Sequence, residues 1–191
     1  MRHRAHGRPR LVRIDRFLAP DRGTLERLRC SEFVIKPNIG ANGDDAFRLS
    51  LQDDAERLEQ LEEIFRGRNC MLQPFRSWIL NEGEFSLFYF DGRFSHGILK
   101  TPAAGEFRSQ EERGGRIVAV EPEPLLSKRG GEAIDAVSPR PLYARVDLVR
   151  NDAGDFEVME LELIEPSLYL RTHPDAPGRF ARCLTEWFGG S

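Results

Sequence analysis

Cysteine is scarce in this chain. There are three, Cys30, Cys70 and Cys183, with no Cys-x-x-Cys pair and no regular spacing. So few, and an odd number, do not make a disulfide framework, and they point to a reducing, cytoplasmic setting. Long apolar runs are missing as well. None approaches the roughly 20 residues of a membrane span, and the N-terminus lacks the apolar core of a signal peptide. An excess of positive charge is also absent: 28 Lys and Arg stand against 31 Asp and Glu, a net −3. That argues against nonspecific nucleic-acid binding as the main role. The GxxxxGK[ST] phosphate loop of the mononucleotide folds is not found. What remains is 191 residues, enough for one domain or two small ones with a real core.

The most informative stretch runs from Leu142 to Pro166, LYARVDLVRNDAGDFEVMELELIEP. It reads as strands Leu142–Arg150 and Phe156–Ile164 joined by a polar turn, Asn151 to Asp155. Alternation puts Arg145, Asp147 and Val149 on one face of the first strand, and Val158, Glu160 and Glu162 on one face of the second. A symmetric closure sets Asp147 opposite Glu160 and Arg145 opposite Glu162, at roughly 5 Å between Cβ atoms. Like charges facing each other across a ladder are destabilising. Two readings answer this crowding. One or two Mg²⁺ ions, which take carboxylate oxygens and substrate phosphates, would neutralise it; alternatively, the acids are solvated or paired with Arg145.

The first sixteen residues hold six arginines and two histidines and read as a flexible basic leader. Asp21–Leu28 fits a short helix, and Glu32–Lys36 a strand ended by Pro37. Lys36 followed by a loop with Gly40, Ala41 and Gly43 suits a phosphate clamp, but also suits a plain turn. Gln52–Arg66 is an amphipathic helix with Leu58, Leu61 and Phe65 on one face and Gly67 as its stop. Cys70–Phe75 is a buried strand whose Gln73, Pro74 and Phe75 form either plain core or a linker able to read a flat heterocycle. GEFSLFYF and RFSHGILK flank Asp91-Gly92, the strongest short-range hairpin signal in the chain, with Glu84 and Lys100 near the strand ends. The long polar loop that follows carries Arg108 and Gly114-Gly115. Ile117–Val120 is a strand, Lys128–Val137 a short helix, and Pro177–Phe188 a closing helix with Phe180, Leu184 and Trp187 on one face. His96, on a strand, reads as a satisfied structural histidine.

In this order, Lys36-Pro37 with its small-residue loop, Gln73-Pro74-Phe75, Gly83-Glu84, Asp91-Gly92, Lys100-Thr101-Pro102, Gly105-Glu106-Phe107-Arg108, Gly114-Gly115, Arg145-Val146-Asp147 and Glu160-Leu161-Glu162…Pro166 resemble the ATP-grasp superfamily. Within it they are similar to the nucleotide-binding part of prokaryotic glutathione synthetase and to the D-cycloserine ligase-like branch. The resemblance implies an α+β fold, two subdomains with antiparallel sheets enclosing ATP, divided here as a leader over residues 1–30, a small subdomain over 31–72 and a larger one over 73–191. It implies phosphorylation of a small-molecule carboxylate by ATP and attack of an amine on the acyl phosphate, with Mg²⁺ or Mn²⁺. Lys36 then matches a lysine on the nucleotide phosphates, and Gly40, Ala41 and Gly43 the mobile loop over them. Gln73, Pro74 and Phe75 match the hinge beside adenine, and Glu84 an acid near the ribose. Lys100 and Arg108 match basic residues facing the phosphate and acyl phosphate. Asp147, Glu160 and Glu162 match the metal ligands, and Arg145 either orients Glu162 or touches substrate.

The sequence departs from that pattern at its start. The resemblance calls for an N-terminal domain of roughly a hundred residues and an earlier lysine, and neither is found in Met1–Arg29. Two expectations follow: a ligase, or a nucleotide-binding module without turnover. Surface left uncovered would favour a homodimer.

Overall fold

The computed structural model describes residues 12–14, 30–40, 43–50, 52–53 and 55–189. They divide after Phe75 into two compact units. The expected helix at Asp21–Leu28, most of the basic leader and Ala41 lie outside the described residues.

The first unit is a four-stranded antiparallel sheet in the order β1-β4-β2-β3, made of β1 (Val12–Ile14), β2 (Glu32–Pro37), β3 (Phe47–Ser50) and β4 (Cys70–Pro74). β1 lies within the basic leader, where the sequence reading placed no strand. Val12 and Ile14 are β-branched, which suits a strand, and they pair with Leu72 and Cys70. Helix α1 (Ala55–Ile64) is shorter than Gln52–Arg66. It stops before Gly67, whose φ of +72° a β-carbon would oppose. Phe33, Ile35, Leu49, Leu61, Phe65, Cys70 and Leu72 form its core. Alternation turns Lys36 to the opposite face of β2. Gln73, paired with Val34, shares that second face.

The second unit is a five-stranded antiparallel sheet, β7-β6-β5-β8-β9, built from β5 (Glu84–Phe90), β6 (Arg93–Thr101), β7 (Arg116–Val120), β8 (Tyr143–Arg150) and β9 (Phe156–Glu162). Asp91 and Gly92 close the β5–β6 hairpin with φ of 47° and 73°, both in the left-handed region that a two-residue primed turn requires. Between β4 and β5 lies a single helical turn, α2 (Trp78–Asn81). Helix α3 (Pro124–Asp135) begins four residues before the expected Lys128, because Pro124 at its first turn needs no backbone donor. Its Leu126 and Ile134 are buried with Leu87, Tyr89, Ala144, Val146, Leu148 and Phe156, each large apolar side chain contributing about 1.5–3 kcal/mol. Gly130 lets the helix approach closely, since a β-carbon there would lie 2.4 Å from Tyr89 Oη. In α4 (Ala176–Gly189) Cys183 is buried and Phe180 packs 5.0 Å from Phe90, while Trp187 stays 43% exposed. Among the described residues no helix is long and apolar enough to cross a membrane.

The β8–β9 register pairs Asp147 with Glu160 and Arg145 with Glu162, as the alternation predicts. One placement differs. A bulge follows Asp147, so Leu148 pairs with Val158 and Met159 is the extra residue. Val158 therefore leaves the face of Glu160 and Glu162 and packs against the apolar core.

Candidate functional site

The face of the second sheet away from α3 is built from alternate residues of three neighbouring strands: Glu84, Ser86 and Phe88 on β5, Lys100 and Ile98 on β6, and Arg145, Asp147 and Val149 on β8. Five of these are charged or polar and buried, with Asp147 only 1% and Lys100 5% exposed. Burying such groups is unfavourable unless every one is paired, and here each is. Lys100 Nζ lies 3.1 Å from Glu84 Oε1 and 3.3 Å from Asp147 Oδ2. Ser86 Oγ donates to Asp147 Oδ1 at 2.5 Å, and Ser109 Oγ to Glu84 Oε2 at 2.6 Å. Arg145 grips Asp147 with Nε and Nη2 at 3.0–3.1 Å and also donates from Nη2 to Glu162. Its Nη1 reaches the Ser167 carbonyl at 3.4 Å.

The charges set one another's protonation. Burial pushes the Asp147 carboxyl upward, but Lys100 and Arg145 outweigh it and hold the group at about 2. Burial draws the Lys100 ammonium down, yet Asp147 and Glu84 reverse that, and its pKa is raised. Glu84 is shifted up by burial, against the pull of Lys100. Glu162 is also raised, by burial first and against Arg145.

Asp147, Glu160 and Glu162 each offer a carboxylate oxygen, and the three lie within 4.8 Å of one another. A six-coordinate Mg²⁺ with bonds of about 2.1 Å spans roughly 4.2 Å between opposite ligands. Hard oxygen donors suit Mg²⁺ or Mn²⁺, and a cationic group, the Arg145 guanidinium, already sits against two of the three. The residues therefore fit such an ion.

The other residues singled out in the sequence fall into two groups. Arg108, in the loop after β6, is held by Glu106: Nε donates to Oε1 at 3.0 Å and Nη2 to Oε2 at 2.6 Å, while Oε1 also accepts the Phe107 amide. Those bonds to Arg108 are the main reason the Glu106 carboxyl falls to about 2. Lys36, Gly40, Gly43, Gln73, Pro74 and Phe75 belong to the first unit. Lys36 and Gln73 share the face of its sheet turned from α1. Phe75 carries the Arg48 guanidinium 3.9 Å above its ring, and Arg48 also bonds Glu32.

Sequence reasoning did not single out Ser86, Ser109 or Arg48. Ser86 was open to it, since alternation from Glu84 places it on the charged face. Arg48 was not, since its place opposite Val34 depends on the pairing of β2 with β3. Ser109 lies in a loop, where no periodicity points to a partner 25 residues away. His96 is satisfied: Nε2–H donates to the Leu168 carbonyl at 3.0 Å, and its ring stacks on Phe88 at 4.3 Å.

No protein-family model matches the chain. Over 196 residues the sequence is 32% identical to the cycloserine biosynthesis protein DcsG of Streptomyces lavendulae, a match covering 95% of this chain and 62% of that protein. The crystal structure of D-cycloserine synthetase DcsG superposes with a TM-score of 0.76 at 26% identity, over 94% of this chain and 65% of that one. The D-alanine–D-alanine ligase from Bacillus anthracis complexed with ATP gives a TM-score of 0.64 at 23% identity, over 93% and 57% of the two chains. The ATP-grasp ligase PsnB complexed with minimal precursor, Mg and ADP gives 0.63 at 16% identity, over 94% and 53%. The last two are likenesses of fold. The chain thus spans less than two thirds of the length of the relatives it matches.

Proposed function

The chain belongs to the ATP-grasp superfamily, and from that premise we propose that it is an ATP- and Mg²⁺-dependent carboxylate–amine ligase acting on an amino acid or small peptide through an acyl phosphate. The observation that carries this reading is the convergence of Asp147, Glu160 and Glu162 beside the buried cations Lys100 and Arg145.

Transfer of a phosphoryl group needs little covalent help from protein and much offsetting of negative charge on the moving oxygens. Mg²⁺ or Mn²⁺ bound by the three acids would supply charge neutralisation on the phosphate oxygens. Lys100 is fixed in direction by Glu84 and Asp147, so its charge is placed before substrate arrives. Glu84, expected at the ribose, has one oxygen bonded by Lys100 of β6 and the other by Ser109 of the following loop, and in this reading it acts by holding Lys100. Arg108 is assigned to the acyl phosphate, with Glu106 fixing its guanidinium. Arg145 is assigned to the metal ligands and the substrate side of the charged face.

In the first unit Lys36 is assigned to the nucleotide phosphates and the backbone of Gly40, Ala41 and Gly43 to the loop over them. Gln73, Pro74 and Phe75 are assigned to the adenine. The carboxylate oxygen of the first substrate attacks the terminal phosphorus of ATP and ADP leaves. The amine of the second substrate then attacks the acyl carbon, an amide forms, and phosphate leaves.

The test is ADP release by the purified chain with Mg·ATP and panels of amino acids or dipeptides as acid and amine. Release that requires both partners, with amide formation by mass spectrometry, is the expected result. Nucleotide binding with no release under any pairing would leave a nucleotide-binding module in place of a ligase.

A further inference from the structure

The Asp147 carboxylate has no acceptor site to spare. Its Oδ1 accepts from Ser86 and from Arg145 Nε, and its Oδ2 from Arg145 Nε and Nη2, with the Lys100 ammonium 3.3 Å away. A carboxylate oxygen offers about two lone pairs, so a cation reaches this residue only when a donor withdraws. Ser86 is fixed on the neighbouring strand directly opposite Asp147. Lys100 is 5% exposed and is also the counter-charge of Glu84. Arg145 differs from both, because it alone among the described residues bridges two of the three converging acids, Asp147 and Glu162. Charge runs the same way. Glu84, Asp147, Glu160 and Glu162 are matched by Lys100 and Arg145, which leaves a formal deficit of two positive charges, the charge of one divalent ion.

We propose that Arg145 is a built-in counter-cation: its guanidinium fork bridges two of the three assigned metal ligands, Asp147 and Glu162, and uptake of the divalent ion and release of the fork are one exchange. The proposal rests on the metal assignment made above. The fork keeps two acids from repelling each other before the ion arrives. It also sets the affinity, because the ion must displace charge-assisted bonds that are among the stronger side-chain contacts. Once displaced, the same guanidinium has the donors that now hold Asp147 and Glu162 for another partner.

The test is titration of the full chain with Mn²⁺, followed by electron paramagnetic resonance, with and without ATP, on the wild type and on Arg145→Lys. Lysine keeps the charge but has no planar fork to bridge two carboxylates. Exchange predicts Mn²⁺ binding tighter by about tenfold in the lysine variant, the order expected for losing one charge-assisted bond. Unchanged or weaker binding in Arg145→Lys, with normal binding in the wild type, would overturn the exchange and leave the metal site standing. Absence of Mn²⁺ binding by the wild type, with or without ATP, would remove the site and the proposal together. A second readout needs no variant. Adding Mg²⁺ is expected to shift the Arg145 Nε–H resonance and speed its solvent exchange, and an unmoved, still protected resonance would also overturn the exchange.

Discussion

Each sheet buries one face under a helix: Phe33, Ile35 and Leu72 lie with Leu61 of α1, and Leu87, Val146 and Leu148 with Leu126 of α3. Their other faces part company. In the second unit Glu84, Lys100, Arg145 and Asp147 are buried and bonded to one another, so each group is a condition of its neighbours' burial. In the first unit Lys36 is half-buried on a short strand, and among the described residues no carboxylate is paired with it. The contrast separates two ways of presenting charge to a ligand. A fixed network is pre-oriented but tied to folding, whereas a single lysine is mobile and dispensable to the fold.

Breaking the network should give the largest effect. Lys100→Met leaves Glu84 and Asp147 buried without the cation they share, and loss of one member of a buried pair costs roughly 3–5 kcal/mol. Urea denaturation should show that loss, and an unchanged midpoint would mean the network is incidental to folding. Lys36→Met should do the reverse. Stability is expected to stay within about 0.5 kcal/mol of the wild type. Affinity for Mg·ATP is expected to fall on the order of tenfold, the value of one bond to a charged group, as measured by calorimetry.

The contrast also explains what could be read in advance. The β8–β9 register was legible because Asp147, Glu160, Arg145 and Glu162 alternate strictly around a short polar turn. The Asp91-Gly92 hairpin was legible because its turn requires positive φ at both positions. The bulge at Met159 was not, since nothing in VMELE distinguishes one extra residue from continued alternation. The expected helix Lys128–Val137 starts four residues late, because Pro124 serves as the first turn of α3. The sharing of Lys100 between Glu84 and Asp147, and the bond from Ser109 to Glu84, depend on strands and loops meeting across tens of residues. No local pattern encodes that.

A smaller effect sharpens the comparison at the loop that carries Arg108. Glu106 sits at about 2, below its ordinary 4.5, chiefly through its bonds to Arg108. A carboxyl depressed in this way lends stability that is fully present above pH 4.5 and is lost as pH falls through about 2. Arg108→Met should move the Glu106 titration, followed by carboxyl carbon NMR, back toward 4.5. A midpoint that stays near 2 would show that the arginine is not what holds the acid.

Glu160 gives the most direct measurement, because it is the exposed member of the three acids and stands outside the buried pairs. Calorimetric titration of ATP with and without Mg²⁺, on the wild type and on Glu160→Gln, tests whether these acids hold the ion that ATP needs. Mg²⁺-dependent binding that Glu160→Gln weakens at least tenfold, with its unfolding midpoint unchanged, is the expected result. Equal affinity in the two proteins, or ATP binding indifferent to Mg²⁺, would contradict it.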